Sequence, residues 1–369
     1  MDKILVWDLP TRLFHWLLAA AFAAGWLTAG SARWLDLHVF AGYLMLGLVG
    51  FRLAWGFAGN RYARFSSFRF TPGQALAYVG DTLSGGAKRY LGHNPAGSWA
   101  IYGLLALGLS IGISGLLTLG GQENHGPFAG LFSRDLGHGF KQFHEALASA
   151  MLALVAFHLA GVAVESVLHK ENLAKAMVTG RKAGKLHQGS LPRRRAGVLV
   201  LAAVMGFGAW YFKDYFTQTP DKPYLPFAGP ALPDNPTWRA ECGSCHLAYH
   251  PVLLPARSWR RMMAEQDRHF GEDLALDPAT AKEILAFLQT HAAETHLTKT
   301  AYGMDRSVPT GEAPLRITET RYWQRAHRDI PEEAWRHPKV SSKANCAACH
   351  RDAEQGSFSP GAMGLPSTP

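Results

Sequence analysis

Cysteine is scarce in this chain, since only four occur among its 369 residues. All four fall in two short motifs, CGSCH at residues 242–246 and CAACH at residues 346–350. No cysteine is left over for a disulfide, so the chain does not belong to the disulfide-stapled class of exported domain.

Acidic residues are scarce in the first part of the chain. Residues 1–213 carry 20 Lys and Arg against 9 Asp and Glu, whereas residues 214–369 carry 17 against 19. The formal charge of +9 therefore comes entirely from the apolar part of the sequence. Basic loops beside membrane spans have this distribution, whereas a nucleic-acid-binding surface does not require it. We expect no nucleic-acid partner.

Five apolar segments have roughly the 17–25 residues that a helix needs to cross a bilayer. They are residues 12–30, 38–58, 98–119, 143–167 and 196–212. The first lacks a small-residue cleavage site of the usual kind, so we expect an uncleaved anchor. The sequence predicts an all-α protein whose membrane part is a four-helix bundle with a fifth transmembrane helix.

Loop charges predict the orientation of these spans. Thirteen Lys and Arg lie in the loops that follow spans two and four, against three in the opposite loops. Because basic loops stay in the cytoplasm, the N-terminus is expected inside and everything after residue 212 outside. The expected domains are residues 1–190, a fifth membrane helix at 191–216, a Pro-rich linker at 217–236 and an exported domain at 237–369.

Four histidines lie in or at the ends of the predicted spans. His144 and His158 are 14 residues apart on one helix, so they share a face at about 21 Å along its axis. His15 matches the depth of His158, and His38 matches that of His144. We predict an inner haem ligated by His15 and His158 and an outer haem ligated by His38 and His144. The alternative is that each histidine is a polar residue bonded within the bundle.

The two cysteine motifs are typical of covalent haem attachment. Two thiols two residues apart reach the two vinyl groups of one porphyrin, and the adjoining histidine lies under the iron. We therefore predict one c haem at Cys242 and Cys245 and another at Cys346 and Cys349. The proximal ligands are His246 and His350. A Cys₄ zinc site or a redox dithiol would not require the histidine in both motifs.

Spacing alone leaves the sixth ligands of the c haems open. The candidates are His250, His269, His291, His296, His327, His337, Met262, Met263, Met304 and Met363. The remaining loop histidines are expected not to be ligands, namely His93, His125, His138, His169 and His187.

Three segments resemble the bacterial cytochrome b561 family, which includes the cytochrome b subunits of membrane hydrogenases. They are GFRLAWGFAGNRYARFSSF (50–68), LGHNPAGSWAI (91–101) and FHEALASAMLALVAFHLAGV (143–162). The resemblance covers roughly residues 1–190 and implies a dihaem four-helix core that exchanges electrons with quinone. It also implies a bacterial cytoplasmic membrane, with the exported domain in the periplasm. Arg52 and the basic cluster at 61–64 match motif positions, and we expect them to be structural or topological.

The exported part resembles the dihaem cytochrome c family called DHC. The resemblance rests on residues 242–277 and on ITETRYWQRAHRDIP (317–331) together with KVSSKANCAACHRDAE (339–354). It implies a small, mainly α-helical, loop-rich domain with bis-histidine haems, and it selects His269 and His327 as sixth ligands. The sequence does not decide which of the two ligates which haem, although we favour His269 for the haem of the first motif. On this pattern His250 is expected at the surface.

These interpretations combine into a membrane tetrahaem cytochrome with two b haems and two c haems. It is expected to link the quinone pool to a soluble periplasmic redox protein or cytochrome c, as a quinol:cytochrome c-type oxidoreductase or an electron-transfer subunit. The alternatives are a terminal reductase or oxidase, acting on superoxide or ferric iron, and the cytochrome b anchor of a larger redox complex such as a hydrogenase. A homo-oligomer is also compatible with the sequence. Glu145 and Glu165 are candidate proton groups for quinone chemistry.

Overall fold

The computed structural model describes residues 3–31, 34–132, 134–184, 190–219, 232–296, 298–359 and 362–364. Most of the predicted linker at 217–236, and also His187, lie outside the described residues. The chain divides into two compact units. The first unit comprises Met1–Thr118 and His138–Lys222, and the second comprises Leu119–Gly137 and Pro223–Pro369.

The chain is mostly helical, as the sequence predicts. The helices up to residue 216 are α1 (Leu9–Thr28), α2 (Leu35–Ala58), α3 (Pro72–Leu83), α4 (Pro95–Gln122), α5 (Arg134–Leu168), α6 (Leu173–Thr179), α7 (Arg194–Tyr211) and α8 (Lys213–Phe216). Two short strands, β1 (Lys3–Leu5) and β2 (Arg181–Ala183), pair antiparallel with Lys3 opposite Ala183. This pairing puts the N-terminus and the segment after α5 on one side of the first unit.

Three helices among the described residues, α2, α4 and α5, are long and apolar enough to cross a membrane. The other two predicted spans coincide with α1 and α7, which have 20 and 18 residues. Arg12 and His15 lower the hydropathy of α1, and the two arginines that begin α7 lower that of α7. At 1.5 Å per residue, α1 is about 30 Å long, enough to span the hydrocarbon core. Crossing by α1 and α7 stays a prediction.

Apolar side chains from four helices form the core of the first unit. Phe14 of α1, Met45 and Val49 of α2, Leu105 of α4 and Met151 of α5 are all less than 9% exposed and pack together. Met151 lies midway between His144 and His158 in sequence, so its burial shows that this face of α5 points into the bundle.

A buried polar network joins the ends of α1, α2 and α7. Asp8 is 1% exposed and caps α1 by accepting a hydrogen bond from the Thr11 amide at 3.1 Å. The Asn60 side chain, just after α2, donates to Asp8 at 2.7 Å and to the Leu191 carbonyl. Its oxygen accepts a bond from Arg193 Nε at 3.0 Å. One amide side chain thus bonds to the segments that precede α1 and α7.

Helix α3 was not predicted from the sequence. Its start is fixed by a capping box, in which Thr71 and Gln74 bond each other's backbone amides. Tyr78 points inward and is buried, whereas Leu76 and Leu83 are 74% and 83% exposed. Such an amphipathic helix, in the loop between two membrane helices, is typical of a segment that lies in the membrane interface.

The second unit is built from short helices joined by loops and 3₁₀ turns. Its helices are α9 (Pro236–Gly243), α10 (Ala256–Ala264), α11 (Pro278–Thr290), α12 (Lys299–Ser307), α13 (Arg321–Ala326) and α14 (Glu332–Trp335). Trp238, Leu254, Trp259 and Ile284 form its main core.

The segment Leu119–Gly137, between α4 and α5, also belongs to the second unit. Lys299 Nζ pairs with Glu123 at 2.7 Å, and the Tyr302 hydroxyl donates to the Phe132 carbonyl at 2.7 Å. The sequence did not predict this grouping.

We expect Asn60→Ala to destabilise the first unit by about 1–3 kcal/mol, because it leaves the buried Asp8 carboxylate without its amide donor. Thermal unfolding of the detergent-solubilised protein, followed by circular dichroism, measures the loss. The exposed residue Gln142 supplies the control Gln142→Ala, which should leave the midpoint nearly unchanged. Equal midpoints for the two variants would contradict the role of the network.

Candidate haem-binding sites

His15 and His158 face each other inside the first unit. Their ring centroids are 6.4 Å apart, with His15 in the second turn of α1 and His158 in α5. The buried Nδ1 of His15 has no hydrogen-bond partner among the described residues.

His38 and His144 form a second facing pair, with centroids 6.1 Å apart. His38 Nδ1 lies 2.9 Å from the Gly25 carbonyl of α1, and His144 Nδ1 lies 3.1 Å from the Ile111 carbonyl of α4. Gly25 is in the last turn of its helix, where carbonyls lack an intrahelical partner. Each Nδ1–H therefore donates to a carbonyl, and each Nε2 keeps its lone pair.

The first cysteine motif begins in the last turn of α9, which ends at Gly243. Its His246 faces His269, with ring centroids 6.2 Å apart. The Nδ1–H of His246 donates to the Leu247 carbonyl at 2.8 Å. Tyr249 stacks on His246 at 4.8 Å, which fixes the plane of the imidazole ring.

The second motif forms a 3₁₀ turn at Cys346–Ala348, and its His350 faces His327 at a centroid distance of 6.0 Å. His327 follows α13 directly, and its Nδ1–H donates to the Trp323 carbonyl at 2.8 Å. The structure thus brings His269 beside the first motif and His327 beside the second, an assignment that the sequence left open.

The four separations fit two imidazoles that ligate one metal from opposite sides. A metal–nitrogen bond of about 2 Å, and a further 1.1 Å or so to each ring centre, give a separation of about 6.2 Å. The measured distances run from 6.0 to 6.4 Å. A haem fits between two rings at this separation, so the residues present suit the expected cofactor.

The cysteines form two separate sites. Within the described ranges, no three His, Cys, Asp or Glu side chains come together in a group that could hold a metal ion. The four thiols therefore do not form one Cys₄ zinc site. Burial raises the pKa of Cys242 and of Cys346 to about 11, so both are protonated thiols in the unmodified chain.

Three histidines of the second unit are uncharged near pH 7, as metal ligation requires. Burial lowers the pKa of His269, of His327 and of His350 below the usual value for histidine. Each imidazole is therefore neutral near pH 7, and only a neutral imidazole can ligate iron.

Tyr249 connects the two sites of the second unit. Besides stacking on His246, it donates a hydrogen bond from its hydroxyl to the Ala344 carbonyl at 2.7 Å. Ala344 lies two residues before Cys346. One side chain thus contacts the proximal histidine of the first motif and the backbone that leads into the second.

The expectation that His250 lies at the surface is wrong. His250 is only 2% exposed, and its Nδ1 accepts a hydrogen bond from the Val252 amide at 3.2 Å. Its ring packs on Gly356, where the Cβ of any other residue would collide with the ring. Burial, with His296 and His291 nearby, lowers the pKa of His250 to about 4. Because Nδ1 is an acceptor, the proton is on Nε2, and this ring is not free to ligate a metal.

Arg52, for which the sequence leads us to expect a structural or topological role, is a buried residue. It lies on α2, is 3% exposed, and stacks over the Phe65 ring at 4.8 Å. Its buried Nη1 has no hydrogen-bond partner among the described residues. A ligand group that accepts a hydrogen bond from this nitrogen would stabilise the buried guanidinium. An arginine inside the apolar run of residues 38–58 was the sequence signal that could have pointed to this role.

His93 lies in the same region as Arg52. Its ring packs between Trp7 at 4.7 Å and Phe68 at 4.5 Å, and its buried Nδ1 has no partner in the described part of the chain. Burial, together with the charge of Arg52, lowers the pKa of His93 to about 3. His93 is therefore a neutral imidazole with an unused polar atom.

The two candidate proton groups have different environments. Glu145 is exposed, with Lys141 Nζ 3.8 Å away on the preceding turn of α5. Glu165 is 8% exposed and accepts a hydrogen bond from the Tyr78 hydroxyl at 2.9 Å. Only Glu165 is a buried carboxylate, and its position seven residues after His158 puts it on the same face of α5.

Comparison with known proteins assigns families to both parts of the chain. Residues 6–180 match the family model for prokaryotic cytochrome b561, and residues 238–358 match that for dihaem cytochrome c. A curated relative from Rhodobacter capsulatus, named "Probable Ni/Fe-hydrogenase B-type cytochrome subunit", is 24% identical over 216 residues. The match covers 50% of this chain and 82% of the relative.

Two solved structures are similar to the second part. A dihaem cytochrome c from Rhodobacter sphaeroides is 38% identical, with 35% of this chain and all of that chain covered and a TM-score of 0.31. A dihaem cytochrome c from Shewanella baltica is 36% identical, with 37% of this chain and 95% of that chain covered and a TM-score of 0.30.

The two family matches account for the two kinds of histidine arrangement, one on membrane helices and one beside cysteine motifs. They imply both haem b and haem c as cofactors. The chain is a membrane haem electron-transfer protein that joins a prokaryotic cytochrome b561 domain to a dihaem cytochrome c domain.

Proposed function

We propose that the chain carries two b haems and two c haems and passes single electrons between the quinone pool and a periplasmic redox protein. The observation that carries this proposal is the ring separation of 6.0–6.4 Å in four histidine pairs, each at a position where the sequence predicts a haem. Two pairs lie on membrane helices and two lie beside the cysteine motifs. His250 and His296 are also 6.2 Å apart, but His250 Nδ1 accepts a hydrogen bond from the Val252 amide, which leaves the proton on Nε2.

The proposed ligands are His15 with His158 and His38 with His144 for the b haems. For the c haems they are His246 with His269 and His350 with His327. The haems supply reversible one-electron chemistry, and the protein holds and tunes them. Two imidazole ligands keep the potential below that of a histidine–methionine pair. The carbonyls that accept from Nδ1 of His38, His144, His246 and His327 fix these rings and raise their basicity.

Arg52 is the proposed partner of a propionate on the inner haem. Haem propionates are carboxylates, and one of them would supply the hydrogen-bond acceptor that the buried Nη1 of Arg52 lacks among the described residues. His93 is influenced electrostatically by both Arg52 and His158, and its unpaired Nδ1 could donate to the same group. The two residues would then orient the porphyrin edge and limit its access to water.

The loop charges support an orientation with the N-terminus in the cytoplasm and the second part of the chain in the periplasm. The pairing of β1 with β2 supports one shared side for the N-terminus and the basic segment after α5. In this orientation the His38–His144 pair is nearer the periplasm than the His15–His158 pair. Electrons from quinol would then pass outward from b haem to c haem.

A second candidate function is the anchor subunit of a larger redox enzyme. The R. capsulatus relative is named as a hydrogenase subunit, and this chain resembles most of its length. A stoichiometric catalytic partner that co-purifies with the chain would favour this function. The c domain on the same polypeptide favours the first proposal, because it already supplies an electron exit.

We expect a quinol to reduce the haems of the purified protein. Anaerobic stopped-flow spectroscopy with reduced decylubiquinone or a menaquinol analogue should show the α-band of haem b appearing first and that of haem c following. Dithionite gives the full reduction amplitude as the control. Haems that dithionite reduces and neither quinol reduces would contradict the link to the quinone pool.

His158→Ala should remove the inner b haem and leave both c haems, because the remaining His15 cannot hold the iron from both sides. The pyridine haemochrome spectrum of the purified variant measures the b-to-c ratio, which should fall to about half. His138→Ala is the matched control, since His138 is an exposed histidine on the same helix. An unchanged b-to-c ratio in His158→Ala would refute the assignment.

His269→Met should raise the potential of one c haem, whereas His327→Met should raise that of the other. Potentiometric titration of each variant, followed in the haem c band, resolves the shifted haem. Combining His269→Met with removal of Cys346 and Cys349 tests the pairing. If the only remaining c haem keeps its bis-histidine spectrum in that variant, His269 does not serve the first motif.

A further inference from the structure

Glu165 lies at the centre of a buried polar cluster near the end of α5. The Tyr78 hydroxyl lies 2.9 Å and 3.1 Å from its two oxygens. The Thr82 hydroxyl, which donates to the Tyr78 carbonyl at 2.8 Å, is also 3.4 Å from Glu165. His169 Nε2, one turn further along α5, is 3.2 Å from Glu165 Oε2 but is not aligned for a hydrogen bond. Two hydroxyls and one imidazole thus face one carboxylate.

The nearby cations are directed at another carboxylate. Lys182 Nζ is 3.4 Å from Glu171, and Arg89 is 3.1 Å from Glu171. In the described part of the chain, no Lys or Arg lies within ion-pair distance of Glu165. Tyr90, whose ring contacts Tyr78 at 5.6 Å, completes the titratable groups around the cluster. The carboxylate of Glu165 is therefore surrounded by hydroxyl groups and an imidazole, and not by lysine or arginine side chains.

Tyr78 is a proton donor in this cluster. Burial, together with the hydrogen bond to Glu165, raises the pKa of the Tyr78 phenol above its usual value. The phenol therefore keeps its proton and donates to Glu165 or to the Lys88 carbonyl, which is 3.0 Å away. It orients the carboxylate without competing for protons.

An apolar groove lies directly beside the cluster. It is lined by Thr82, Ala163, Val164, Val167 and Leu168, and Val167 is 79% exposed. Thr82 belongs to both the groove and the cluster, because its hydroxyl contacts Glu165. A ligand in this groove would have its apolar part on a membrane helix and its polar end at a buried carboxylate.

The groove is close to the proposed inner haem. Glu165 is seven residues from His158, which is two helical turns on the same face and about 10.5 Å along the axis. A redox molecule at Glu165 would be near enough to exchange electrons with a haem at His15 and His158.

We propose that this groove and cluster bind the head group of a quinol or quinone, with Glu165 as the first proton acceptor and His169 as the second. The proposal rests on the proposed function and adds the place where quinol is oxidised. Each quinol that becomes a quinone releases two protons and two electrons. One proton goes to the Glu165 carboxylate and one to the His169 imidazole, and both leave at the end of α5. The two electrons pass singly through the b haems and c haems to the periplasmic acceptor.

The test compares Glu165→Gln, Glu165→Asp and the control Asp81→Asn in the full-length, haem-loaded protein. Asp81 is an exposed carboxylate on α3 and contributes no side chain to the cluster. Glu165→Gln should slow haem b reduction by reduced decylubiquinone roughly 100-fold or more, whereas Glu165→Asp should restore part of the rate. Haem content, dithionite reduction and thermal midpoint should match the unmodified protein in all three variants.

Binding is measured separately from reduction, by equilibrium dialysis of labelled decylubiquinone against the oxidised protein. Ala163→Trp fills the groove and should abolish saturable binding, with haem content unchanged. Suppose that quinol reduces the unmodified protein, that Glu165→Gln is reduced at the same rate, and that Ala163→Trp binds decylubiquinone equally well. The site proposed here is then wrong, and the proposed function stands. The same result is expected if the groove holds only a lipid acyl chain. If quinol does not reduce the unmodified protein, the proposed function itself fails.

Discussion

A histidine can ligate iron only as a neutral ring whose free nitrogen points at the metal, and this requirement constrains both units. In the first unit, the outer pair needs all four core helices. Helices α2 and α5 supply His38 and His144, while α1 and α4 supply the carbonyls that orient them. In the second unit, where helices are short, backbone carbonyls of Leu247 and Trp323 orient His246 and His327. The same ring separation is thus obtained from two different architectures.

Two charged side chains, Arg52 and Glu165, are buried in the first unit with incomplete sets of polar partners. One nitrogen of Arg52 has no hydrogen-bond partner among the described residues, and no Lys or Arg there pairs with Glu165, whose basic neighbour is His169. Each state is unfavourable in an apolar interior unless a further group completes it. A haem propionate would complete the first, and a proton from quinol would complete the second. The proposed ligands of the first unit therefore explain why these two charged residues are buried, whereas packing within the protein does not.

Helical periodicity explains what the sequence could predict of the site. Fourteen residues between His144 and His158 place both on one face of α5, and the facing pairs with His15 and His38 follow from matched depth. The same seven-residue spacing continues from Met151 to Glu165, so the burial of Glu165 could also have been inferred. The c motifs were readable because attachment chemistry fixes their spacing.

Contacts between distant parts of the chain could not be read from the sequence. The pairing of β1 with β2, the burial of His250 against Gly356, and the inclusion of Leu119–Gly137 in the second unit all depend on tertiary packing. His269 and His327 lie outside regular helices, so periodicity could not assign them to a motif. Helix α3 was not predicted because it is too short to be a membrane span and lies in the loop between the second and third spans.

The most direct test of the central claim is the haem stoichiometry of the purified chain. A pyridine haemochrome spectrum, calibrated against protein concentration from quantitative amino-acid analysis, gives the number of b haems and c haems per polypeptide. Four histidine pairs predict two of each. A preparation that contains both c haems but no haem b, in membranes that support cytochrome b assembly, would contradict the assignment of the membrane histidines.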